Sequence, residues 1–124
     1  MKTIALIGST GSIGRQVCSV VRRYPEKFKI ESIVANSSTE EFLRQVREFQ
    51  PKYTALANEN AGKRIQADIP AGVKFGYGAQ AAETAVAYGE VAFVAATGFA
   101  GLQYSLQIMG ILRIRHLISQ KVSV

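Results

Sequence analysis

Three glycines at a fixed spacing, Gly8, Gly11 and Gly14, follow the first apolar segment of the chain. The spacing G-x-x-G-x-x-G lets a chain turn tightly, bring its backbone close to a ligand, and pack a helix against the preceding strand. Free N–H groups at the start of such a helix attract anions, aided by the positive end of the helix dipole. The glycine loop, residues 8–14, therefore predicts a pyrophosphate site, with Ser12 placed either to cap the helix or to donate to a phosphate.

A second candidate site follows the next apolar run, where the sequence is neutral: Ala35, Asn36, Ser37 and Ser38. NAD-binding chains usually carry an acidic residue here to hold the ribose hydroxyls, and a carboxylate would repel a 2′-phosphate. Neutral donors at a helix start tolerate that phosphate, so the 36–38 loop (residues 36–38) favours NADP over NAD. The alternative is that Ser37 and Ser38 only cap the helix. Arg44, further along, either reaches the phosphate or is solvated.

The side chains that usually carry catalysis are few and scattered. Cys18 is the only cysteine and lies beside Val17, so we expect a buried structural thiol. His116 is the only histidine and has no carboxylate near it in the sequence, so we expect a structural or solvated residue. Glu40 and Glu41 are adjacent, but neighbouring positions on a helix point in different directions. The sequence therefore predicts no catalytic residue and no metal site.

Alternating apolar runs and amphipathic stretches must position these residues. Residues 4–7 are continuously apolar, as in a parallel strand covered on both faces. Further strands are predicted at residues 29–35, 53–57, 73–75 and 91–96, and helices at 60–66, 80–88 and 102–109 in addition to one after each candidate loop. This alternation predicts an α/β fold, a Rossmann-like doubly wound parallel sheet in three layers.

The helices after the two candidate loops have recognisable boundaries. Apolar residues recur at helical spacing after the glycines and stop before Pro25; they are Ile13, Val17, Val20, Val21 and Tyr24. Ser38 and Glu41 fit the S-x-x-E spacing of a capping box, so the second helix is expected to begin near Thr39, and Pro51 to end it.

Length and charge limit the domain organisation and the partners. We expect one domain over residues 1–110 and an atypical tail over residues 111–124. A last strand of the sheet is one interpretation of this tail. Arg113, Arg115 and Lys121 supply half of the net charge of +6, so no dense basic face for nucleic acid is expected. No apolar run reaches the roughly 18 residues that span a bilayer, and no signal peptide is evident, so we expect no membrane contact and a cytoplasmic location. A homodimer is an alternative to a monomer that the sequence leaves open.

Four features occur together in this chain. They are GSTGSIG at residues 8–14, the helix and Pro25 beyond it, the neutral end of the second strand, and VAATGFAGL at residues 94–102. Over residues 1–110 the chain thereby resembles the N-terminal cofactor domain of the 1-deoxy-D-xylulose 5-phosphate reductoisomerases. That family uses NADPH and a divalent metal, Mg or Mn, to rearrange and reduce a sugar phosphate in isoprenoid precursor synthesis. The resemblance implies an NADPH-dependent oxidoreductase and isomerase of the non-mevalonate pathway.

The resemblance also implies roles for individual residues. The pyrophosphate and the nearby ribose would contact Thr10, Gly11, Ser12 and Ile13, and the adenosine phosphate would be held by Asn36, Ser37 and Ser38. The nicotinamide half would be approached by Ala95, Ala96 and the following glycine loop with Gly98.

The chain departs from the family pattern in its last part. The family has a strand ending in Ala-Asn-Lys-Glu-Ser, whereas residues 119–123 are Ser-Gln-Lys-Val-Ser, which matches Lys121 to the family's lysine and lacks the glutamate. The family's Asp-Ser-Glu metal motif and its substrate domain have no counterpart. We therefore expect a truncated or frame-disturbed family sequence that needs the full-length enzyme for its metal and is inactive alone.

Other classes of nucleotide-binding protein give competing interpretations. Short-chain dehydrogenases share the glycine triplet but need a Tyr-x-x-x-Lys pair, and none of the five tyrosines is followed by lysine at that spacing. A standalone dinucleotide-binding or interaction module without catalysis would also bind NADPH and stays the alternative. A partner or a dimer that covers the face of the missing domain would distinguish it.

Overall fold

Strands and helices alternate along residues 1–94, which are the residues that the structure, a computed structural model, describes. The strands are β1 (Lys2–Ile7), β2 (Phe28–Ala35), β3 (Tyr53–Leu56), β4 (Lys74–Tyr77) and β5 (Val91–Val94); the helices are α1 (Ser12–Arg23), α2 (Thr39–Phe49), α3 (Glu59–Ile65) and α4 (Ala79–Ala85). Short 3-10 turns follow α3 and α4, at Gln66–Asp68 and Val86–Tyr88. The predicted roles of Ala95, Ala96, Gly98, His116 and Lys121, the 102–109 helix and the tail lie outside the described residues.

The five strands form one parallel sheet in the order β4-β3-β2-β1-β5. The chain therefore builds outward from β1 to β4 and then returns to place β5 on the other side of β1. This reversal of strand order is the mark of a doubly wound sheet, and ligands of such sheets lie beyond the carboxyl ends of the strands at that point. The predicted fold class is confirmed.

Two apolar clusters lie on opposite faces of the sheet, because successive strand side chains point to opposite sides. On one face α1, α2 and α3 pack Val17, Phe42 and Ile65 against the strands. On the other face α4 packs Ala82 and Ala85 against residues that include Ile7 and Val34. The sheet is therefore the middle of three layers, which explains why β1 is apolar without alternation.

Helix boundaries agree with the sequence, but three details of the predicted helix starts are wrong. Ile13 does not join the buried stripe of α1, since it is 42% exposed. Gly11, rather than Ser12, is the residue that precedes α1, and Ser12 is its first helical residue. The Ser38 side chain makes no capping hydrogen bond to α2, and Glu41 pairs with arginines instead, so the capping box does not form.

The later elements are shifted by one or two residues from their predicted positions. The fourth strand is Lys74–Tyr77 because it pairs with the whole of β3, and α4 ends at Ala85 with a 3-10 turn where a continuous helix is predicted. α2 ends at Phe49, and Gln50, which caps it before Pro51, has a φ of 46° in the left-handed region. None of these shifts changes which loops meet at the carboxyl edge of the sheet.

Candidate functional site

The two candidate loops lie side by side at the carboxyl edge of the sheet. The glycine loop follows β1, the 36–38 loop follows β2, and the two strands are neighbours with Ile7 paired to Val34. The third predicted loop, residues 97–101, lies outside the described residues. The structure therefore brings together the predicted phosphate-binding segments that it describes.

The first turn of the glycine loop is fixed to β2 by its own backbone. Gly8 has a φ of 92°, a conformation that favours glycine. The N–H groups of Gly8 and Ser9 both donate to the Val34 carbonyl, at 2.7 and 3.0 Å, and Gly11 donates to the Gly8 carbonyl at 3.4 Å. These three N–H groups already have backbone acceptors, in β2 for two of them and in the turn for the third. Gly8 therefore shapes the site and offers no free backbone donor to a ligand.

The next N–H groups of the loop are open. Thr10, Ser12, Ile13 and Gly14 donate to no backbone acceptor within residues 1–94, and the hydrogen bonds of α1 begin with Arg15 donating to Gly11 at 2.9 Å. We call these four the open N–H groups because they have no backbone acceptor in that range; Ser12 and Ile13 are exposed, Thr10 is half-buried and Gly14 is buried. Because they gather at a helix start, where the dipole is positive, they form a site suited to an anion such as a phosphate.

The last two glycines of the triplet have different structural roles. A Cβ on Gly14 would lie 2.7 Å from the Ser9 carbonyl oxygen and closer still to that of Gly8, so only glycine lets α1 pack this tightly on the loop. A Cβ on Gly11 would meet nothing nearer than the Gly8 carbonyl oxygen at 3.8 Å. Gly11 is exposed, so it leaves open the surface from which a ligand can approach the loop.

The side chains of the 36–38 loop are exposed. The loop is anchored from below, because the Asn36 carbonyl accepts the N–H of Asn58 at 3.0 Å. Since the Ser38 side chain does not cap α2, capping does not explain this serine. The loop therefore presents one amide and two hydroxyl groups to solvent beside the glycine loop.

One of the two carboxylates in the first turn of α2 pairs with two arginines. Glu41 in the first turn of α2 pairs with Arg44 of the same helix and with Arg15 of α1, the latter at 3.9 Å. Arg44 pairs with Glu41 but its side chain is 67% exposed, so it is largely solvated in this structure, and its contact with a phosphate stays a prediction. The two arginines offset the charges of Glu41 and of the exposed Glu40 beside it, so the start of α2 carries no net negative charge that would repel an anionic ligand.

Cys18 lies on the buried face of α1, with 2% of its surface exposed. Burial is the main cause that raises the pKa of its thiol to about 12, and the nearby Arg22 guanidinium opposes the shift. The thiol is therefore protonated at neutral pH and is not a nucleophile. The prediction of a buried structural cysteine is confirmed.

Sequence reasoning missed two residues that support the loops. Gln45 is 3% exposed and its side-chain amide donates to the Ser9 carbonyl at 2.9 Å. Asn58 caps α3 by accepting the N–H of Ala61 at 2.9 Å, while its own N–H holds the 36–38 loop. A signal for Gln45 was present, since it falls on the buried stripe of α2 between Phe42 and Val46.

Residues 1–94 contain neither a candidate metal centre nor a candidate membrane span. No three His, Cys, Asp or Glu side chains in this part of the chain are grouped so that they could hold a metal ion. None of the helices in the same range is long and apolar enough to cross a bilayer.

The sheet order and the glycine loop define a Rossmann-like domain. The family model of 1-deoxy-D-xylulose 5-phosphate reductoisomerase matches residues 4–111. The chain belongs to the 1-deoxy-D-xylulose 5-phosphate reductoisomerase family, which confirms the resemblance recognised in its sequence.

Curated relatives and solved structures agree with this assignment. The chain is similar to the reductoisomerase of Anaeromyxobacter sp. (strain K), with 35% identity over 105 residues, 83% of this chain and 27% of that protein. It is 46% identical to the Clostridium botulinum (strain Langeland) enzyme over 66 residues, 53% of this chain and 17% of that protein. The chain thus spans about a quarter of the length of the Anaeromyxobacter relative.

The solved structures share the fold at low sequence identity. The Zymomonas mobilis reductoisomerase in complex with NADPH superposes with a TM-score of 0.73 and 19% identity, covering 78% of this chain and 26% of that one. A DOX-P reductoisomerase in complex with NADPH, fosmidomycin and magnesium gives a TM-score of 0.72 and 21% identity, covering 90% and 28%.

Proposed function

We propose that this chain binds NADPH at the edge formed by the glycine loop and the 36–38 loop, as the cofactor domain of a 1-deoxy-D-xylulose 5-phosphate reductoisomerase. The observation that carries the proposal is the set of open N–H groups at the start of α1, directly beside a loop of neutral donors. Family membership supports it, and so do the two solved relatives whose structures contain NADPH.

Each loop has a distinct part in the proposal. The open N–H groups bind the pyrophosphate. Gly8 contributes by shaping the turn, and Gly14 by letting α1 pack closely on the loop. Asn36, Ser37 and Ser38 bind the 2′-phosphate of the adenosine ribose. Ala95, Ala96 and Gly98 are expected to approach the nicotinamide half, and Lys121 remains a predicted member of the site.

The chemistry of the family requires more than residues 1–94 offer. Bound NADPH supplies a hydride, and the described residues bind and orient the nucleotide. They contain no group of metal-ligating side chains, so the divalent metal of the family does not fit this part of the chain. We expect the 124-residue chain alone to turn over no sugar phosphate.

Isothermal titration of the chain with NADPH and with NADH tests the cofactor assignment. Hydrogen bonds to a charged phosphate contribute about 1.5–3 kcal/mol, so NADPH should bind about ten- to a hundredfold more tightly than NADH. Equal affinity for the two nucleotides, or no binding of either, would contradict the proposal.

A variant of the 36–38 loop localises the preference. Ser37→Asp places a carboxylate where the 2′-phosphate is expected, so it should weaken NADPH binding and should not weaken NADH binding. Ser19→Asp is the matched control, because Ser19 is exposed in the middle of α1, remote from both loops along the chain. If the two variants weaken NADPH binding equally, the phosphate does not lie at the 36–38 loop.

A further inference from the structure

One buried hydrogen bond connects α2 to the glycine loop. The amide nitrogen of Gln45 donates to the carbonyl oxygen of Ser9 at 2.9 Å, and both residues are buried, with 3% and 0% of their surface exposed. Ser9 is the residue between the first glycine and the first of the open N–H groups. A helix that follows β2 thus holds the backbone of the loop that follows β1.

The orientation of the Gln45 amide is determined by its surroundings. With the amide turned over, its oxygen would face the Ser9 carbonyl oxygen, and two acceptors would be in contact. In the observed orientation the Gln45 Oε1 atom is buried and has no hydrogen-bond partner among the described residues. The hydrogen bond to the Ser9 carbonyl is therefore the polar interaction that the buried Gln45 side chain gains from its position.

Stability alone does not explain a glutamine at this position. Burying an amide with an unsatisfied oxygen is unfavourable, whereas an apolar side chain would extend the buried stripe formed by Phe42 and Val46. The residue type is better explained by what the hydrogen bond does to the loop.

The bond fixes the direction of one peptide unit. The peptide between Ser9 and Thr10 is trans and planar, so its carbonyl and its N–H point in opposite directions. Gln45 holds the carbonyl from α2, and Gly14 of α1 packs on the same carbonyl, at 2.7 Å from the position of a Cβ. With the carbonyl held towards both helices, the trans peptide turns the Thr10 N–H away from them, and this N–H has no backbone acceptor within residues 1–94.

We propose that Gln45 is a positioning residue for the cofactor site: by holding the Ser9 carbonyl, it directs the Thr10 N–H to the pyrophosphate of the bound nucleotide. This role rests on the proposed NADPH-binding function. Gln45 does not touch the nucleotide itself, and it acts only through the Ser9–Thr10 peptide.

The test compares Gln45→Met with a matched control in the 124-residue chain. Methionine keeps the length of the side chain and removes the donor. The control is Thr54→Val, because the Thr54 hydroxyl is another buried donor to a backbone carbonyl, that of Ile33 at 2.7 Å, and lies within β3 away from the glycine loop. Both variants lose one buried hydrogen bond, and only one of these bonds reaches the loop.

Titration with NADPH and with adenosine 2′-monophosphate separates positioning from general weakening of the fold. Adenosine 2′-monophosphate carries the 2′-phosphate but no pyrophosphate. We expect Gln45→Met to weaken NADPH binding about five- to tenfold, the effect of one misplaced hydrogen bond, and to leave adenosine 2′-monophosphate binding unchanged. Thr54→Val should leave the affinity for both nucleotides unchanged.

Three titration results would overturn the role of Gln45, and so would one folding result. They are unchanged NADPH affinity in Gln45→Met, an equal loss of affinity for both nucleotides, and an equal loss of NADPH affinity in Thr54→Val. A Gln45→Met chain that does not fold would also overturn it, because the hydrogen bond would then serve the fold as a whole.

Amide spectra of the nucleotide-free chain keep this test separate from that of NADPH binding. If the unaltered chain does not bind NADPH, the proposed function fails. The orientation of the Ser9–Thr10 peptide is still measured by the ¹⁵N and ¹H shifts of Thr10, which should change in Gln45→Met and not in Thr54→Val. An unchanged Thr10 shift would show that Gln45 does not position this peptide.

Discussion

Gly14→Ala is the substitution for which the structure gives the most specific expectation. The added Cβ would lie 2.7 Å from the Ser9 carbonyl oxygen and closer to that of Gly8. Both oxygens belong to backbone that is already fixed, since Gly8 and Ser9 donate to Val34 and Gln45 holds Ser9. The loop therefore cannot turn aside as a flexible side chain would, and either α1 or the loop must move.

The magnitude follows from two opposing effects. Overpacking in a well-packed interior costs about 1–3 kcal/mol, and a clash with fixed backbone belongs to the upper part of that range. Alanine is favoured over glycine inside a helix by about 1 kcal/mol, which offsets part of the cost. We therefore expect the free energy of unfolding to fall by about 1–2 kcal/mol and Tm by roughly 5–10 °C.

Urea unfolding and NADPH titration of Gly14→Ala and Gly11→Ala check this expectation. At Gly11 the nearest atom to an added Cβ is 3.8 Å away and φ is −76°, so the free energy of unfolding should change by less than about 0.5 kcal/mol. Both variants should lose NADPH affinity, Gly14→Ala by displacing the loop and Gly11→Ala by filling the surface from which the ligand approaches. Unchanged stability in Gly14→Ala, or full NADPH affinity in Gly11→Ala, would refute the reasoning.

Two further predictions concern side chains near α1 and α2. Native Cys18 should resist alkylation at pH 8.5, because burial raises the pKa of its thiol to about 12. From about pH 9 upwards the thiol ionises only in the unfolded chain, so the free energy of unfolding should fall as the pH rises. Cys18→Ala should lack this part of the fall. Glu41→Gln removes the carboxylate that pairs with Arg15 and Arg44, so titration at low salt should show the NADPH-to-NADH preference rising about two- to fivefold, and an unchanged ratio would contradict this reasoning.

Much of the fold is encoded in local patterns that the sequence shows directly. The continuous apolar run of β1 indicates a strand with helices on both faces, and the glycine triplet marks the turn into α1. Because alternating strands and helices have few parallel arrangements, these patterns were enough to predict the doubly wound sheet.

Details of the site that depend on contacts between distant segments were not predictable. Ser38 and Glu41 have the spacing of a capping box, but Glu41 pairs with Arg15 of another helix as well as with Arg44, a competition that local spacing does not show. Ile13 fits the apolar stripe of α1 by period, yet it lies in the first turn, beyond the part of the helix that packs on the sheet. Gln45 on a buried stripe was the one visible sign that α2 holds the glycine loop.

The location of the nucleotide is tested most directly by titrating the ¹⁵N-labelled chain with NADPH and following its amide resonances. The account predicts the largest shift changes at the open N–H groups and in the 36–38 loop, with no change at Lys29 and Lys52, which lie at the opposite edge of the sheet. Shift changes centred on Lys29 and Lys52, with Thr10 unaffected, would contradict it.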